Sequence, residues 1–415
     1  MPTAINRRQF LMTSVAAATI GVSRFSKADN SAVPVTTPTL NDYLTAQISA
    51  SALRTNIELI RRELQPTTKF CFVAKSNCYA HGWLQCQDAI KPFADWVAVA
   101  TPEEALAIRH SGWQRPILLL MASGLTGAVS NERLRQLIAR DVTLTLASPN
   151  DLTVIATAAR AAGRPAQLHL KIDSGMTRSG VLPDSAPALM QQARQQSDVK
   201  LTGVYTHFAA ADEKDKTSAH QQLACFMAAI KASGKNAEGL LRHAAASAAT
   251  IDLPESHLDM VRVGTAIYGH QPSDDMLRTL PLRGVMRLVS RLTQVKEVPA
   301  GKCVSYGQTY RFEKPAKIGL VPIGYSDGYW RAFSNRAVMR VGEKYVPVRG
   351  RVCMDQTIVE LTGLADVKVG DAVEIVSPDA AAPNSIENLA RLANTITPDI
   401  MVRFGGSRIQ RVATT

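Results

Sequence analysis

The stretch "FCFVAKSNCYAHGW", residues 70–83, joins a buried strand to a polar turn. Phe70 to Ala74 form an almost unbroken apolar run, and Lys75 follows it directly. Lysine is rarely buried unless another group compensates its charge. The side chain can extend to solvent from the strand end. Alternatively it lies in a partly dry pocket, where burial lowers the pKa of the amine and makes it a Schiff-base nucleophile.

Seven further apolar runs follow this strand at the spacing of a β/α repeat. The eight candidate strands are "KFCFVAK", "DWVAVAT", "PILLLMA", "VTLTLAS", "QLHLKID", "LTGVYTHF", "LLRHAAAS" and "VRVGTAIYG". Helical patterns lie between them, such as "TPEEALAIRHSG", which has a Thr cap and acids in its first turn. Eight such units over roughly 240 residues predict an α/β fold, a (β/α)8 TIM barrel over residues 41–285. An open doubly wound sheet is the alternative.

The pattern changes at about residue 286. Alternating and β-branched runs with Gly turns, such as "AVMRVGEKYVPVRG", predict a C-terminal mainly-β domain over residues 286–415. The strand-like "YLTAQIS", residues 43–49, is a candidate strand of the same domain. Residues 29–40, "DNSAVPVTTPTL", have the composition of a linker.

The first 28 residues have the composition of an export signal. Arg7 and Arg8 form a twin-arginine pattern, the apolar "LMTSVAAATIGV" follows, and Ala28 ends a small-x-small cleavage site. We expect export to the periplasm by the twin-arginine route. After residue 30 no apolar run approaches the 18 residues of a membrane span, so no membrane attachment is expected after signal removal.

Charge and cysteine content exclude several classes of function. The net charge is +12, and the four basic residues of the signal leave +8 for residues 29–415. No Lys/Arg run with interleaved aromatics occurs, which argues against nucleic-acid binding. The six cysteines form no CxxC pattern, so no metal site is predicted and any disulfide pairing stays open. They are Cys71, Cys78, Cys86, Cys225, Cys303 and Cys353.

Polar and charged residues collect at the ends of the predicted barrel strands. A TIM barrel carries its catalytic groups at the carboxyl ends of the strands. The residues found there are Lys75, Arg178, His207, His243, Ser247 and Arg262.

These motifs together resemble the alanine racemase family of pyridoxal-phosphate enzymes, from residue 41 to about residue 412. The resemblance implies a barrel with a C-terminal β domain and pyridoxal 5'-phosphate as the cofactor. It makes Lys75 the Schiff-base lysine and places Tyr79 beside the cofactor phosphate. In "KIDSGMTRSG", Arg178 matches the arginine that polarises the cofactor's phenolic oxygen and holds substrate. Lys171 matches a lysine that is often carbamylated in the family to orient that arginine.

The resemblance assigns the remaining cofactor contacts to three strand ends. His207 of "THFAAADE" is expected against the cofactor ring, and "RHAAAS" supplies His243 and the phosphate ligand Ser247. In "MVRVGTAIYG", Gly264 and Thr265 are expected to present backbone N–H groups to the phosphate, and Arg262 to face the pyridine nitrogen. Arginine keeps its own proton, so the ring nitrogen would stay largely unprotonated.

Racemisation needs an acid–base group on each face of the α-carbon, and the resemblance supplies the second one. Lys75 serves one face, and Tyr306 of "VSYGQTY" matches the family's tyrosine base for the other. In the family this loop reaches the active site of the other subunit, so we expect a homodimer with composite sites. Tyr325, Met354 and Asp355 are expected to contact the amino-acid substrate there.

Two positions depart from the family pattern. Ala246 stands where an asparagine is usual, and Pro398 where a tyrosine commonly closes the substrate pocket. Both exchanges remove polar bulk, which raises the hypothesis of a broad-specificity racemase that accepts serine or larger and basic amino acids. Two other functions stay open: a decarboxylase on the same fold, and a non-catalytic pyridoxal-phosphate-binding protein. Tyr306 and the complete β domain argue against them.

Overall fold

The computed structural model describes residues 43–121 and 131–415. The predicted signal, residues 1–28, and the predicted linker, residues 29–40, lie outside the described residues. The described chain begins with strand β1, Leu44–Ser49, and the helix Ala50–Arg62, whose N-cap Ser49 accepts a hydrogen bond from Ala52 N.

Eight parallel strands then form a nearly closed barrel, which confirms the predicted TIM-like fold. The strands are β2 Lys69–Val73, β3 Trp96–Val99, β4 Ile117–Leu119, β5 Val142–Leu146, β6 Ala166–Lys171, β7 Val199–Tyr205, β8 Leu241–His243 and β9 Met260–Val263. Their order in the sheet is β8-β7-β6-β5-β4-β3-β2-β9. Backbone bonds from Asp259 N to Arg242 O and from Arg262 N to Ala245 O, each 3.0 Å, connect β9 to β8 and its continuation. All eight candidate runs in the sequence therefore contain a barrel strand.

Helices cover the outside of the barrel, so its strands are buried on both faces as in other parallel sheets. They are Trp83–Ile90, Pro102–His110, Asn131–Ala139, Pro149–Ala162, Ala186–Gln195, Thr217–Ala232 and Ser247–Asp252. Thr101 caps the helix Pro102–His110 as its sequence predicts, and forms a reciprocal capping box with Glu104. Within residues 43–121 and 131–415, no helix has the length and apolar character needed to cross a membrane.

The C-terminal part is mainly β, as predicted. Its strands are β10 Met286–Arg291, β11 Gln294–Val298, β12 Cys303–Val304, β13 Tyr310–Arg311, β14 Ala316–Val321, β15 Val338–Val341, β16 Lys344–Pro347, β17 Thr357–Glu360, β18 Ala372–Val376 and β19 Gln410–Thr414. Two helices, Ile386–Ala393 and Thr397–Arg403, complete it. The strands form sheets in the orders β16-β15-β18-β10-β1-β19, β11-β14-β17 and β12-β13.

Strand β1 belongs to this C-terminal sheet, as its strand-like sequence suggests. It pairs antiparallel with β10 and parallel with β19, so that Ala46 lies between Leu288 and Arg411. From β1 onward the described chain therefore contributes a strand to the C-terminal sheet, then forms the barrel, and then returns to that sheet. Arg411 consequently lies close enough to the barrel to contact the segment after Lys75.

Candidate active site

Lys75 lies just beyond the end of β2, at the carboxyl-end mouth of the barrel. The chain then makes a left-handed turn, because the five residues from Ser76 to Ala80 all have φ between 50° and 67°. Each non-glycine residue in this conformation costs about 1–2 kcal/mol relative to the right-handed one. The turn therefore depends on contacts from outside its own backbone.

Two side chains of the same segment hold the turn from within. His81 Nδ1 donates to the carbonyl oxygens of Cys78 and Tyr79, both at 2.9 Å, and Asn77 Oδ1 accepts from Trp83 N at 2.9 Å. Burial lowers the pKa of His81 to about 3. The imidazole is therefore neutral, with its single proton on Nδ1.

Two distant side chains hold the turn from outside. The Glu104 carboxylate accepts from Asn77 N at 3.3 Å through Oε1 and from Ala100 N at 2.9 Å through Oε2. Arg411 Nε donates to Ala80 O at 2.6 Å. The position of Lys75 thus depends on the helix Pro102–His110, which follows β3, and on β19, the strand that carries Arg411.

Two lysines at the barrel mouth have lowered pKa values. Burial and the nearby Arg178 guanidinium lower the pKa of the half-buried Lys75, and Glu104 partly opposes them. Burial, Arg178 and Arg262 lower the pKa of Lys171 to about 8, against the smaller effect of Asp173. Both amines therefore lose a proton more easily than an exposed lysine does.

A carboxylate fixes the backbone of the loop that carries Arg178. Asp173 accepts hydrogen bonds from the N–H groups of Gly175, Thr177 and Arg178, at 3.1, 2.9 and 2.9 Å. Burial would raise the pKa of Asp173, but these N–H groups lower it below its ordinary value. The carboxylate thus stays ionised and holds the loop, while the Arg178 side chain remains exposed at the mouth.

Arg262 is a buried cation near the carboxyl end of β9. Its Nη1 donates to His243 Nδ1 at 2.8 Å, and its Nη2 donates to Thr206 O at 2.8 Å and to Ala244 O at 2.9 Å. Nη2 also lies 3.4 Å from His207 Nδ1. Burial, followed by Arg262 and other cations, lowers the pKa of His207 to about 3. The protein thus engages the two terminal nitrogens, and the described residues offer Nε no hydrogen-bond partner.

The guanidinium fixes the proton positions of two histidines. Arginine can only donate, so His243 Nδ1 accepts and His243 Nε2 carries the proton, which it donates to His169 Nδ1 at 2.9 Å. Burial and the Arg262 charge lower the pKa values of both imidazoles, to about 3 for His169. The Tyr205 ring stacks on His243 with 4.8 Å between centroids. Arg262 is therefore held by a neutral, rigid set of side chains.

Hydrogen-bond donors converge beside Ser247. Ser247 Oγ accepts from Gly264 N at 3.1 Å and from Ala266 N at 3.4 Å. A Cβ on Gly264 would lie 2.6 Å from Tyr79 Oη, so only glycine allows this approach. Burial raises the pKa of Tyr79 to about 12, although a hydrogen bond with Thr265 opposes this, and the phenol stays a donor. The hydroxyls of Ser247 and Tyr79 and the backbone at Gly264 thus form a small polar cradle. Two of its N–H groups are engaged by Ser247 Oγ, and the hydroxyl hydrogens can donate to phosphate oxygens.

The predicted substrate contacts of the C-terminal domain lie at its surface. Tyr306 is 72%, Met354 54% and Tyr325 41% exposed. Tyr325 N donates to Cys353 O at 3.0 Å, which places the Tyr325 and Met354 segments side by side. In the described part of the chain, no hydrogen bond or ion pair joins these three side chains to the barrel cluster around Lys75.

The Asp355 carboxylate is bound by side chains of the C-terminal domain. Its Oδ1 accepts from Arg408 Nη1 at 2.5 Å and from Ser326 Oγ at 3.0 Å, and Arg408 also pairs with the buried Asp327 at 3.3 Å. The carboxylate charge of Asp355 is therefore compensated within the chain. Its assignment as a substrate contact stays a prediction.

Several residues that build the site were not predicted from the sequence. Glu104 could have been predicted, because Thr101 and Glu104 have the spacing of a capping box. Asp173 could also have been predicted, because it precedes the turn-rich loop of "KIDSGMTRSG". His169 and Arg411 carry no local signal, because their contacts are made with residues far along the chain. Within the described ranges no group of three or more His, Cys, Asp or Glu side chains is arranged to hold a metal ion.

Comparison with known proteins shows what this chain resembles. Residues 48–272 match the model of the alanine racemase N-terminal domain, and residues 285–413 match that of the C-terminal domain. Alanine racemases of Desulfovibrio desulfuricans and Methanococcus maripaludis are 37% identical over 372 residues and 36% over 371 residues, each alignment covering 88% of this chain and 97% of the relative. The crystal structure of an alanine racemase from Streptomyces lavendulae superposes with a TM-score of 0.83 at 36% identity, over 90% of this chain and 97% of that one. These matches confirm the predicted family: the chain belongs to the alanine racemases.

Proposed function

We propose that this chain is a pyridoxal-phosphate-dependent amino-acid racemase that interconverts L- and D-alanine with Lys75 and Tyr306 as its two bases. The observation that carries the proposal is the position of Lys75. Its amine has a pKa lowered by burial and by the Arg178 charge, and its Nζ lies 5.7 Å from the ring centroid of Tyr79, a member of the donor cradle. Membership of the family supports the same activity.

The residues present fit the cofactor. The hydroxyls of Ser247 and Tyr79, with the predicted N–H groups of Gly264 and Thr265, would hold the phosphate, and Lys75 would form the Schiff base. Gly264 N donates to Ser247 Oγ in this structure, so it would exchange that acceptor for a phosphate oxygen. The Nε–H of Arg262 would face the ring nitrogen. When bound, pyridoxal phosphate supplies an electron-withdrawing ring that acidifies the α-hydrogen of an amino acid.

The protein's own part in the reaction is to move protons on both faces of the α-carbon. With its lowered pKa, Lys75 can take or return a proton on one face. Arg178 would hold the substrate carboxylate, because a guanidinium matches carboxylate geometry. Arg262 is held by His243 and two carbonyls and only donates, so it would not protonate the ring nitrogen.

Tyr306 supports a homodimer with composite sites. It is 72% exposed on the C-terminal domain, together with Met354 and Tyr325, and the described contacts do not place it at Lys75 of the same chain. The proposal is that the barrel mouth of one subunit is completed by this surface of a second copy.

Mixing two inactive variants tests the composite site. Dimers of Lys75→Ala and Tyr306→Phe should each be inactive, and subunit exchange at equal amounts should restore about one quarter of the wild-type activity. Half of the dimers are then mixed, and one of the two sites in each has both bases. If mixing restores no activity although exchange is shown by mass spectrometry, both bases lie in one chain.

The reaction is tested with L-alanine in deuterated water. A racemase produces D-alanine and exchanges the α-hydrogen for deuterium without releasing carbon dioxide. Loss of carbon dioxide would indicate a decarboxylase, and no turnover by cofactor-loaded protein would indicate a binding protein. Either of these outcomes contradicts the proposed function.

Export to the periplasm is proposed from the twin-arginine pattern at Arg7 and Arg8, the apolar segment and the Ala28 site. Replacement of both arginines by lysine should leave the activity in the cytoplasm. Unchanged periplasmic activity of that variant would exclude the twin-arginine route.

A broad substrate range is proposed from Ala246 and Pro398. Ala246 directly precedes Ser247, and Pro398 lies in the first turn of the helix Thr397–Arg403, which packs against the left-handed turn after Lys75. Excluding one methylene is worth only about 1–3 kcal/mol even in a tight pocket, so the loss of two polar groups widens the range. We expect kcat/KM for serine, lysine or arginine to approach that for alanine. A preference for alanine above about a thousandfold, roughly 4 kcal/mol, would show a narrow range.

A further inference from the structure

The loop that carries Tyr306 is a short hairpin tip. Strands β12 and β13 pair through Cys303 with Arg311 and Val304 with Tyr310, which leaves residues 305–309 as the loop. Tyr306 is the second residue of this loop and projects into solvent. Its direction is therefore set by the backbone of its neighbours.

Ser305 adopts a backbone conformation that serine rarely takes. Its φ is 61° and its ψ is −172°, a region that is populated almost entirely by glycine. Gly307 and Gln308 follow with φ of 70° and 49°. Such a conformation persists only where the surroundings enforce it, and it is a sign of a functional constraint.

A hydrogen bond and close packing enforce the strained conformation of Ser305. Ser305 Oγ donates to Arg351 O at 2.6 Å and lies 3.3 Å from Cys353 Sγ. Gly350 has φ of 75°, and a Cβ there would lie 2.8 Å from both Ser305 Cβ and Val304 O. The Tyr306 loop thus rests directly on the segment 350–353, fixed by the serine hydroxyl.

The same segment carries the other exposed residues of the cluster. Cys353 O accepts from Tyr325 N, and Met354 O accepts from Ser326 N, both at 3.0 Å. The hydroxyl of Ser305 therefore connects the Tyr306 loop to the backbone that positions Tyr325 and Met354.

We propose that Ser305 is a positioning residue whose strained backbone and hydroxyl bond to Arg351 direct the Tyr306 phenol toward the substrate's α-carbon. The proposal rests on the proposed function, in which Tyr306 is the second base. An ordinary extended conformation at Ser305 would rotate the chain at Tyr306 and move the phenol off the α-carbon. Proton transfer is sensitive to such displacements, because about 1 Å of misplacement can cost a hundredfold in rate.

Two variants remove the hydroxyl bond of Ser305 and differ in how freely their backbone adopts the strained conformation. Ser305→Ala removes the hydroxyl bond from a residue that disfavours the conformation, so its backbone can relax to an extended one. Ser305→Gly removes the bond in a residue that adopts the conformation freely but is not held in it. Ser334→Ala is the matched control: Ser334 Oγ accepts from Val352 N at 3.0 Å, on the same segment, and among the described residues it makes no hydrogen bond to the Tyr306 loop. All three are compared as cofactor-loaded enzyme, with α-deuterated L- and D-alanine.

The expected result is asymmetric. Both Ser305 variants should lose at least about tenfold in kcat. Their α-deuterium isotope effect should rise for only one direction of racemisation, the one in which Tyr306 removes the α-proton. The absorbance spectrum of the bound cofactor should not change. Ser334→Ala should keep the wild-type isotope effects. A kcat within about twofold of wild type for Ser305→Ala, or isotope effects that change equally in both directions, would overturn the proposal. Full activity of Tyr306→Phe is a separate outcome, which would overturn the two-base function itself.

Discussion

At the scale of single residues, the site depends on cations that are held close together. Lys75, Arg178 and Arg262 are all near the barrel mouth, and burial with mutual repulsion lowers the pKa values of Lys75 and Lys171. Such an arrangement is unfavourable without an anionic ligand. A phosphate and a substrate carboxylate would relieve it, which agrees with the donor cradle at Ser247.

Removal of the Lys75 amine is expected to abolish the visible absorbance of bound cofactor and the racemase activity together. Lys75 is the lysine at the barrel mouth that is both half-buried and placed in the cofactor-lysine motif "FCFVAKSNCYAHGW". The control is Lys69→Ala, since Lys69 is exposed at the opposite end of the same strand. Lys75→Ala and Lys69→Ala are compared by absorbance and chiral assay. Borohydride-fixable cofactor on another lysine of Lys75→Ala would contradict the assignment.

Residues at strand ends could be predicted from the sequence, and their partners could not. His243 and Arg262 follow from apolar runs that end in polar residues, and the structure joins them at 2.8 Å. His169 looks like an ordinary alternating strand residue, and its bond to His243 spans 74 positions. The single sequence holds no signal for such a contact, because register between distant strands sets it.

At the scale of elements, the left-handed turn and the capping box form one unit. The Glu104 carboxylate accepts N–H groups of Asn77, Ala100 and Thr101, and so it joins the turn, the end of β3 and the start of a helix. One negative charge satisfies three donors that would otherwise lack a partner.

Replacement of this carboxylate by an amide should loosen the turn. In Glu104→Gln the amide NH2 would face a backbone N–H, and because both groups are donors, that N–H would lose its acceptor. We expect a loss of about 1–3 kcal/mol in unfolding free energy and weaker cofactor binding. The matched control is the neighbouring Glu103→Gln, whose exposed ion pair with Arg133 contributes under about 1 kcal/mol. Urea unfolding and cofactor titration of both variants measure the difference. Equal losses in the two would show that the bonds to the turn are unimportant.

The sequence predicts the barrel strands well and the two strained turns poorly. Most barrel strands are short apolar runs, which can be identified in the sequence, whereas β8 has the sequence LRH and is located by its place in the β/α repeat. The residues Ser76 to Ala80 include no glycine, and Ser305 is likewise an ordinary serine. Nothing local therefore indicates positive φ, since contacts from Glu104, Arg411 and Arg351 impose it.

At the scale of the whole molecule, buried neutral histidines make the fold sensitive to acid. His81, His169 and His243 are fully buried, and burial lowers the pKa of each far below the ordinary 6.5, to about 3 for the first two. Between these values and 6.5 the unfolded chain binds protons that the folded chain does not. The stability that these histidines contribute is therefore fully present above about pH 6.5 and falls as the pH drops below it.

Each of these histidines should contribute up to about 1.4 kcal/mol of lost stability per pH unit below about pH 6.5. Urea unfolding between about pH 7.5 and about pH 5 measures the slope. His169→Gln should lower this slope by the contribution of one proton. An unfolding free energy that stays constant across this interval would contradict the buried neutral state.

The position of strand β1 in the sequence also determines when the C-terminal sheet can be completed during synthesis. The strand leaves the ribosome first among the described strands, yet β19, one of its two partners, begins about 360 residues later. At roughly 5–20 residues per second, the edge of β1 that pairs with β19 stays open for tens of seconds. Over that interval it can pair with other chains, as any exposed strand edge can. A chain that stops short of Gln410 would keep one side of β1 open permanently, so the last few residues decide whether the first strand is protected.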